Sequence, residues 1–185
     1  MYARIVLNTT DDDETGPLLL SALEAKMRFL CPDTLTESEV CPTPLLQSVS
    51  EELRVSALRA QADCVTSGAD FAIYLTPLGV GLTESESQDD AAPLALTTSI
   101  ATSNGVVDVF IQTFSFGDVS KKLQGMLDHQ VWAVKKQCIP TAPPPEDIEF
   151  AKKVVLAIQE AYILALQMTF APGPSASGGR KKLDS

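Results

Sequence analysis

The chain has 185 residues, 45% of them hydrophobic, enough for one domain with a substantial core and too few for two ordinary ones. A formal net charge of −10 argues against a surface built for nucleic acid or anionic lipid, because phosphate binding draws on Lys and Arg. The acidic excess sits in residues 1–100, whereas 101–185 is nearly balanced, so the N-terminal half would repel a triphosphate unless a cation intervened.

In chain order, "ARIVLN" (3–8) is a short, β-branched apolar run that ends at the polar cluster "TTDDDETGP" and reads as a buried strand entering a loop. Pro17 suits the first turn of a helix lined by Leu18, Leu19, Ala22, Leu23 and Met27 and ending near Leu30. The proline-rich "CPDTLTESEVCPTP" leaves room for a short edge strand at most. Ser48 and Glu51 form a capping-box pattern, Leu53, Leu58, Ala62 and Val65 follow at roughly helical spacing, and Gly68 stops the helix.

"ADFAIYLT" (69–76) is apolar on both faces, the mark of a central strand. After the polar "TESESQDDAAP", Asn104-Gly105 falls between two β-rich runs and predicts a hairpin. A helix over 118–136 would bury Val119, Leu123, Met126, Leu127 and Val131. "PTAPPP" is a stiff connector to a long helix over 146–170, with acids in its first turn. Residues 1–171 are expected to form one domain, and 172–185, rich in Gly and Ser, a flexible tail. The order of elements implies an α/β (mixed α+β) fold in which a mixed twisted sheet lies between helices.

The four cysteines include no C-x-x-C pair, and His129 is the only histidine, so a structural zinc site of the usual spacing is not expected. No signal-peptide pattern opens the chain, and no apolar run reaches the roughly 18 residues that span a bilayer. The expectation is a cytoplasmic protein with reduced thiols.

Four local stretches carry a resemblance. "GPLLLSAL" (16–23), "EELRVSALRA" (51–60), "ADFAIYLTPL" (69–78) and "FIQTFSFGDVSKKL" (110–123) are similar, in this order, to segments of the inosine/xanthosine triphosphatase family, hydrolases of non-standard purine nucleoside triphosphates. The resemblance implies a mixed sheet with a two-lobed central nucleotide cleft. It also implies the family's working groups at matching positions, and here the chain departs from the pattern. Leu19 stands where the family has a phosphate-binding lysine, and Thr76 where it has a glutamate that binds magnesium or acts as a base. Pro77 and Leu78 replace two glycines, removing the backbone freedom that a close phosphate approach needs. Glu51, Arg59 and Asp70 do match.

Those remnant positions have ordinary readings as well. Glu51 and Arg59 lie eight residues apart on nearly one helix face, where solvated charges are commonplace. Asp70 opens a strand, as turn and cap residues do. The run Asp11, Asp12, Asp13 and Glu14 lacks the alternating ligands and glycine of a calcium loop and reads as an exposed loop. His129 reads as a surface residue, Trp132 as core or interface, and Cys64 as a small buried hydrophobe.

The leading expectation is therefore a non-catalytic relative of that family, a binding or structural component of a larger assembly. The C-terminal domain of a proline-rich coiled-coil protein of animal cells is such a relative. Its partners would be proteins, with a cytoskeletal lattice as one such assembly and a homodimer left open. No nucleic acid, membrane or cofactor is expected. The alternative is a hydrolase of inosine or xanthosine triphosphate. Magnesium would then be held by Glu51, Asp70 and the Asp11–Asp13 run, with Arg59 on phosphate. A second alternative is a nucleotide-sensing module.

Overall fold

A computed structural model describes residues 1–9, 15–42, 48–78, 94–114, 121–139 and 141–170. The elements run β1 (Tyr2–Thr9), α1 (Thr15–Leu30), β2 (Leu35–Pro42), α2 (Val49–Ser67), β3 (Phe71–Leu78), β4 (Leu94–Thr102), β5 (Gly105–Phe114), α3 (Lys121–Cys138) and α4 (Pro145–Phe170). The strands form one mixed sheet in the order β2-β1-β3-β4-β5. β1 pairs in parallel with β2 and β3, while β4 and β5 are antiparallel additions. The α/β class expected from the order of elements is the one observed.

Helices α1 and α4 cover one face of the sheet. There Ile5 and Leu7 of β1 and Ile73 and Leu75 of β3 pack in one cluster with Leu23 and Met27 of α1 and Val154 and Ile158 of α4. Phe71 stacks on Phe150 with ring centroids 4.0 Å apart, joining the start of β3 to α4. The other face is covered by α2 and α3 through a second cluster that includes Ala57, Ala60, Cys64, Val109, Leu127 and Val134. Gly16 lets the first turn of α1 approach β1: a Cβ there would lie 2.9 Å from Leu7 Cδ2.

Local signals set the ends of α2. Ser48 Oγ accepts from Glu51 N at 3.1 Å, and Gly68 closes the helix at φ 76°, a left-handed conformation that costs a residue with a Cβ about 1–2 kcal/mol. β3 is the middle strand of five, as its two apolar faces require. The hairpin forms at Ser103–Asn104, with Thr102 opposite Gly105.

Three expectations need correction. The stretch after Cys31 is a full eight-residue edge strand, because Pro32 precedes it and Pro42 closes it, leaving the residues between free to pair with β1. On α2 only Leu53 of the expected apolar face is buried. Leu58, Ala62 and Val65 point outward, and beyond Leu53 the inward face carries small residues at 56, 57, 60 and 64. On α3, Leu127 is buried and Val131 partly so, but Met126 is exposed. Val119 and the side chain of Leu123 lie outside the described residues, as does the tail 172–185.

Candidate functional site at the carboxyl ends of the parallel strands

The crossover from β1 leaves through α1 to β2 on one side, while the crossover from β2 passes through α2 on the opposite face to β3 on the other side. The carboxyl ends of β1 and β3 thus lie side by side where the chain direction splits. In open α/β sheets this is the place where ligands bind. The expected cleft would open here, where the chain passes into residues 10–14 and 79–93, outside the described residues.

The strand ends at this point carry buried polar groups where apolar ones would pack more cheaply. Asn8 of β1 lies beside Thr76 of β3, which is opposite Thr97 of β4, so the three side chains form a row on the face beneath α2. Asn8 Nδ2 donates to Thr76 Oγ1 at 3.3 Å, and Thr97 Oγ1 donates to the Thr76 carbonyl at 3.2 Å. Above the same face, α2 turns Glu52 inward at 4% exposure, and Ser56 Oγ donates to its carboxylate at 3.2 Å. Two hydroxyls next along β4, Thr98 Oγ1 and Ser99 Oγ, are buried without a protein partner, a cost of about 1–3 kcal/mol each if left dry.

Of the sequence candidates, Leu19 and Thr76 are fully buried: Leu19 belongs to the apolar cluster under α1, and Thr76 to the polar row. Neither could meet a phosphate by a change of rotamer. Glu51 and Arg59 are both exposed on α2. Asp70 lies at the opposite, amino end of the parallel strands, where its carboxylate accepts from Tyr2 N at 2.8 Å and clamps the first residues of β1 and β3 together. Between Glu51 and the end of α2 at Ser67 runs about 24 Å of helix, so Glu51 and Asp70 cannot share an ion. The magnesium implied by the hydrolase alternative therefore has no ligand set built on those two residues. Asp11, Asp12, Asp13 and Glu14 lie outside the described residues.

His129 is exposed, as expected. Trp132 is not a core residue; it lies on the surface with Lys136 Nζ 5.0 Å from its ring centre. Cys64 is buried, donates to the Ala101 carbonyl at 3.3 Å, and has its thiol pushed up to about 11 chiefly by burial. Such a thiol is a poor nucleophile at neutral pH. None of the four cysteines is in a disulfide.

Sequence reasoning missed two features. Glu52, not its neighbour Glu51, is the acid turned into the fold; its place in the inward series 49, 52, 53, 56, 57, 60, 64 was the available signal. The second is a charged network on the face of the sheet beyond α2. Arg4 of β1 meets Asp63 of α2 at 3.0 Å, Glu39 of β2 at 2.9 Å and Glu37 of β2 at 3.5 Å. Tyr74 donates to Asp63 at 3.0 Å, and Tyr2 donates to Glu37 at 2.6 Å. The bond to Asp63 raises the guanidinium's already high pKa, and burial followed by the same carboxylate raises that of the Tyr74 phenol. The alternation of Arg4 with Ala3 and Ile5, and of Glu37 with Glu39, could have exposed this network.

Two clefts of about 490 and 650 Å³ flank the hairpin turn. The first is lined by Arg54, Gln61, Gln137 and Cys138 among others, the second by Asp70 and Cys64. Neither includes Asn8, Thr76 or Thr97.

These features define a three-layer α/β domain with buried polar side chains near the carboxyl ends of β1 and β3. No family model matches the chain, and no curated protein matches it. Among solved structures, protein VC0702 from Vibrio cholerae is similar at 12% identity and a TM-score of 0.37, covering 93% of this chain and 98% of its own. A PelC dodecamer from Paraburkholderia phytofirmans is similar at 12% identity and a TM-score of 0.33, covering 72% and 84%. Lipoprotein GNA1162 from Neisseria meningitidis is similar at 12% identity and a TM-score of 0.35, covering 74% and 99%. Resemblance this distant supports no inference about function. No helix among the described residues is long and apolar enough to cross a membrane.

Proposed function

We propose that the protein is a non-catalytic relative of the inosine/xanthosine triphosphatases, a cytoplasmic binding or structural component that works through protein partners in a larger assembly. One observation carries the reading: the positions where the resemblance puts working groups are distributed so that they cannot act together. Leu19 and Thr76 are used as interior, and Glu51 and Asp70 stand at opposite ends of α2. A triphosphate site needs cations converging on several negative charges, whereas the nearest buried side chains offer a carboxylate, an amide and hydroxyls.

The surface supports partners of protein kind. The outer side of α4 exposes Leu156, Ile163, Leu164 and Met168 along its second half, interrupted by Gln159, Glu160 and Gln167. Apolar surface rimmed by polar residues is the usual composition of a protein interface. A cytoskeletal lattice is one assembly of this kind.

The test is pyrophosphate release from inosine triphosphate with magnesium by the purified chain and by Glu51→Gln. The expected outcome is no turnover by either. Turnover by the parent chain that Glu51→Gln abolishes would overturn the reading and favour the hydrolase.

A further inference from the structure

The two edges of the sheet are not equivalent. β5, at one edge, makes an irregular register with β4 between Ile100 and Ala101, and its Asp108 is held by Lys135 of α3 at 2.7 Å. Ile139 and Pro143 of the connector line the same cleft as its Val107 and Asp108. β2, at the other edge, is paired with β1 over all eight residues without a shift, and among the described residues no strand lies on its outer side. A straight edge of that length is normally shortened, bulged or covered.

Its side chains say what would cover it. Glu37 and Glu39 alternate along β2 on the side of Arg4, about 7 Å apart, with side chains 60% and 54% exposed. One guanidinium faces both of them and also Asp63, which is only 10% exposed and draws Arg4 inward. The two glutamates are thereby fixed in place, Glu37 by Tyr2 as well, but not neutralised. Phe29, 82% exposed in the last turn of α1, and Leu35, 71% exposed at the start of β2, add apolar surface at one end of this acidic edge.

Charge decides between occupants. A second copy pairing antiparallel through β2 would bring Glu37 and Glu39 against their own counterparts, and like charges opposite one another destabilise a strand pair. A basic strand has the reverse effect. Resting on the binding function proposed above, we propose that β2 is a docking edge for an extended segment of a partner protein with Lys or Arg at alternate positions, added as a sixth strand. The backbone ladder would supply affinity, and the alternate cations would set register and selectivity against Glu37 and Glu39.

The test uses the full chain and two synthetic eight-residue peptides of equal composition, one alternating Lys with Val and one with the lysines grouped. Binding is followed by fluorescence anisotropy at low and high salt, and strand formation by amide hydrogen exchange. The alternating peptide is expected to bind on the order of tenfold tighter than the grouped one. Its binding should weaken with salt and slow exchange in residues 35–42. The double variant Glu37→Gln, Glu39→Gln should lose the preference while keeping the parent's thermal transition. Equal binding of both peptides, no binding of either, or protection confined to other residues would overturn the proposal. So would a concentration-dependent dimer of the free chain with β2 protected, which would make a second copy the occupant. Failure here without triphosphate hydrolysis removes only the edge assignment, whereas hydrolysis removes the non-catalytic reading whatever the peptides do.

Discussion

Leu19, Leu23 and Met27 bring three large side chains of α1 onto one face of the sheet, whereas α2 meets the other face with Ala57, Ala60 and Cys64, and with Glu52 and Ser56 beside them. The first face is packed for hydrophobic gain, each large aliphatic group removing enough area from water to contribute about 1.5–3 kcal/mol. The second lets a helix come close and keeps polar groups satisfied beneath it, at Asn8, Thr76 and Thr97. The comparison teaches that the two layers serve different ends. The α1/α4 side is packed with large aliphatic groups, and the α2 side trades part of that gain for a close helix over hydrogen-bonded polar side chains.

Equilibrium unfolding in urea is the sharpest way to break this contrast. Leu23→Ala, which opens a cavity in the apolar layer, should cost about 2–5 kcal/mol, whereas Thr76→Val on the opposite side should cost about 1 kcal/mol by deleting one modest hydrogen bond. Equal costs would mean that the polar row carries as much of the fold as the aliphatic one. A more stable Thr76→Val chain would mean that the row is kept for a reason other than stability.

A smaller effect comes from pH. In the unfolded chain the Cys64 thiol titrates near its ordinary 9.0, and in the folded protein near 11 because of burial, so above pH 9 the unfolded state gives up a proton that the folded state keeps. Stability should therefore decline as pH rises from 9 to 11, and Cys64→Ala should reduce that decline while leaving the part due to Tyr74, Cys31 and Cys138, whose groups are also raised. Urea midpoints measured across this range check it. Curves of the same slope for both chains would show that the thiol is not enclosed as the packing under α2 requires.

Much of the scaffold was legible because it depends on neighbours in sequence. The Ser48 cap, the Gly68 stop, the two apolar faces of β3 and the Asn104-Gly105 hairpin signal are each a few residues long, and each corresponds to an observed feature. The candidate site was legible only in part. Glu51 looked like the working acid because it matches the motif of the resembling family, but its place beside the Ser48 cap leaves it outside; Glu52, one position on, is the one turned in. Leu58 and Val65 looked like core by their roughly helical spacing, but a helix lying close to a sheet selects small residues, so Ala57 and Ala60 took the inward positions. Arg4 passed as part of a buried strand because its partners come from β2 and α2, far along the chain.

By itself the sequence determined the type and order of the helices and strands, the two ends of α2, which strand is central and that the chain is acidic. These follow from backbone preferences, caps and periodicity, which act over a few residues. Only the tertiary structure decided that Glu51 and Asp70 stand apart, that Leu19 and Thr76 are interior, and that the acids of β2 lie on the edge strand of the described sheet. Those outcomes depend on which strands pair and which helix faces meet the sheet, and the energy that selects them comes from contacts between residues distant in sequence.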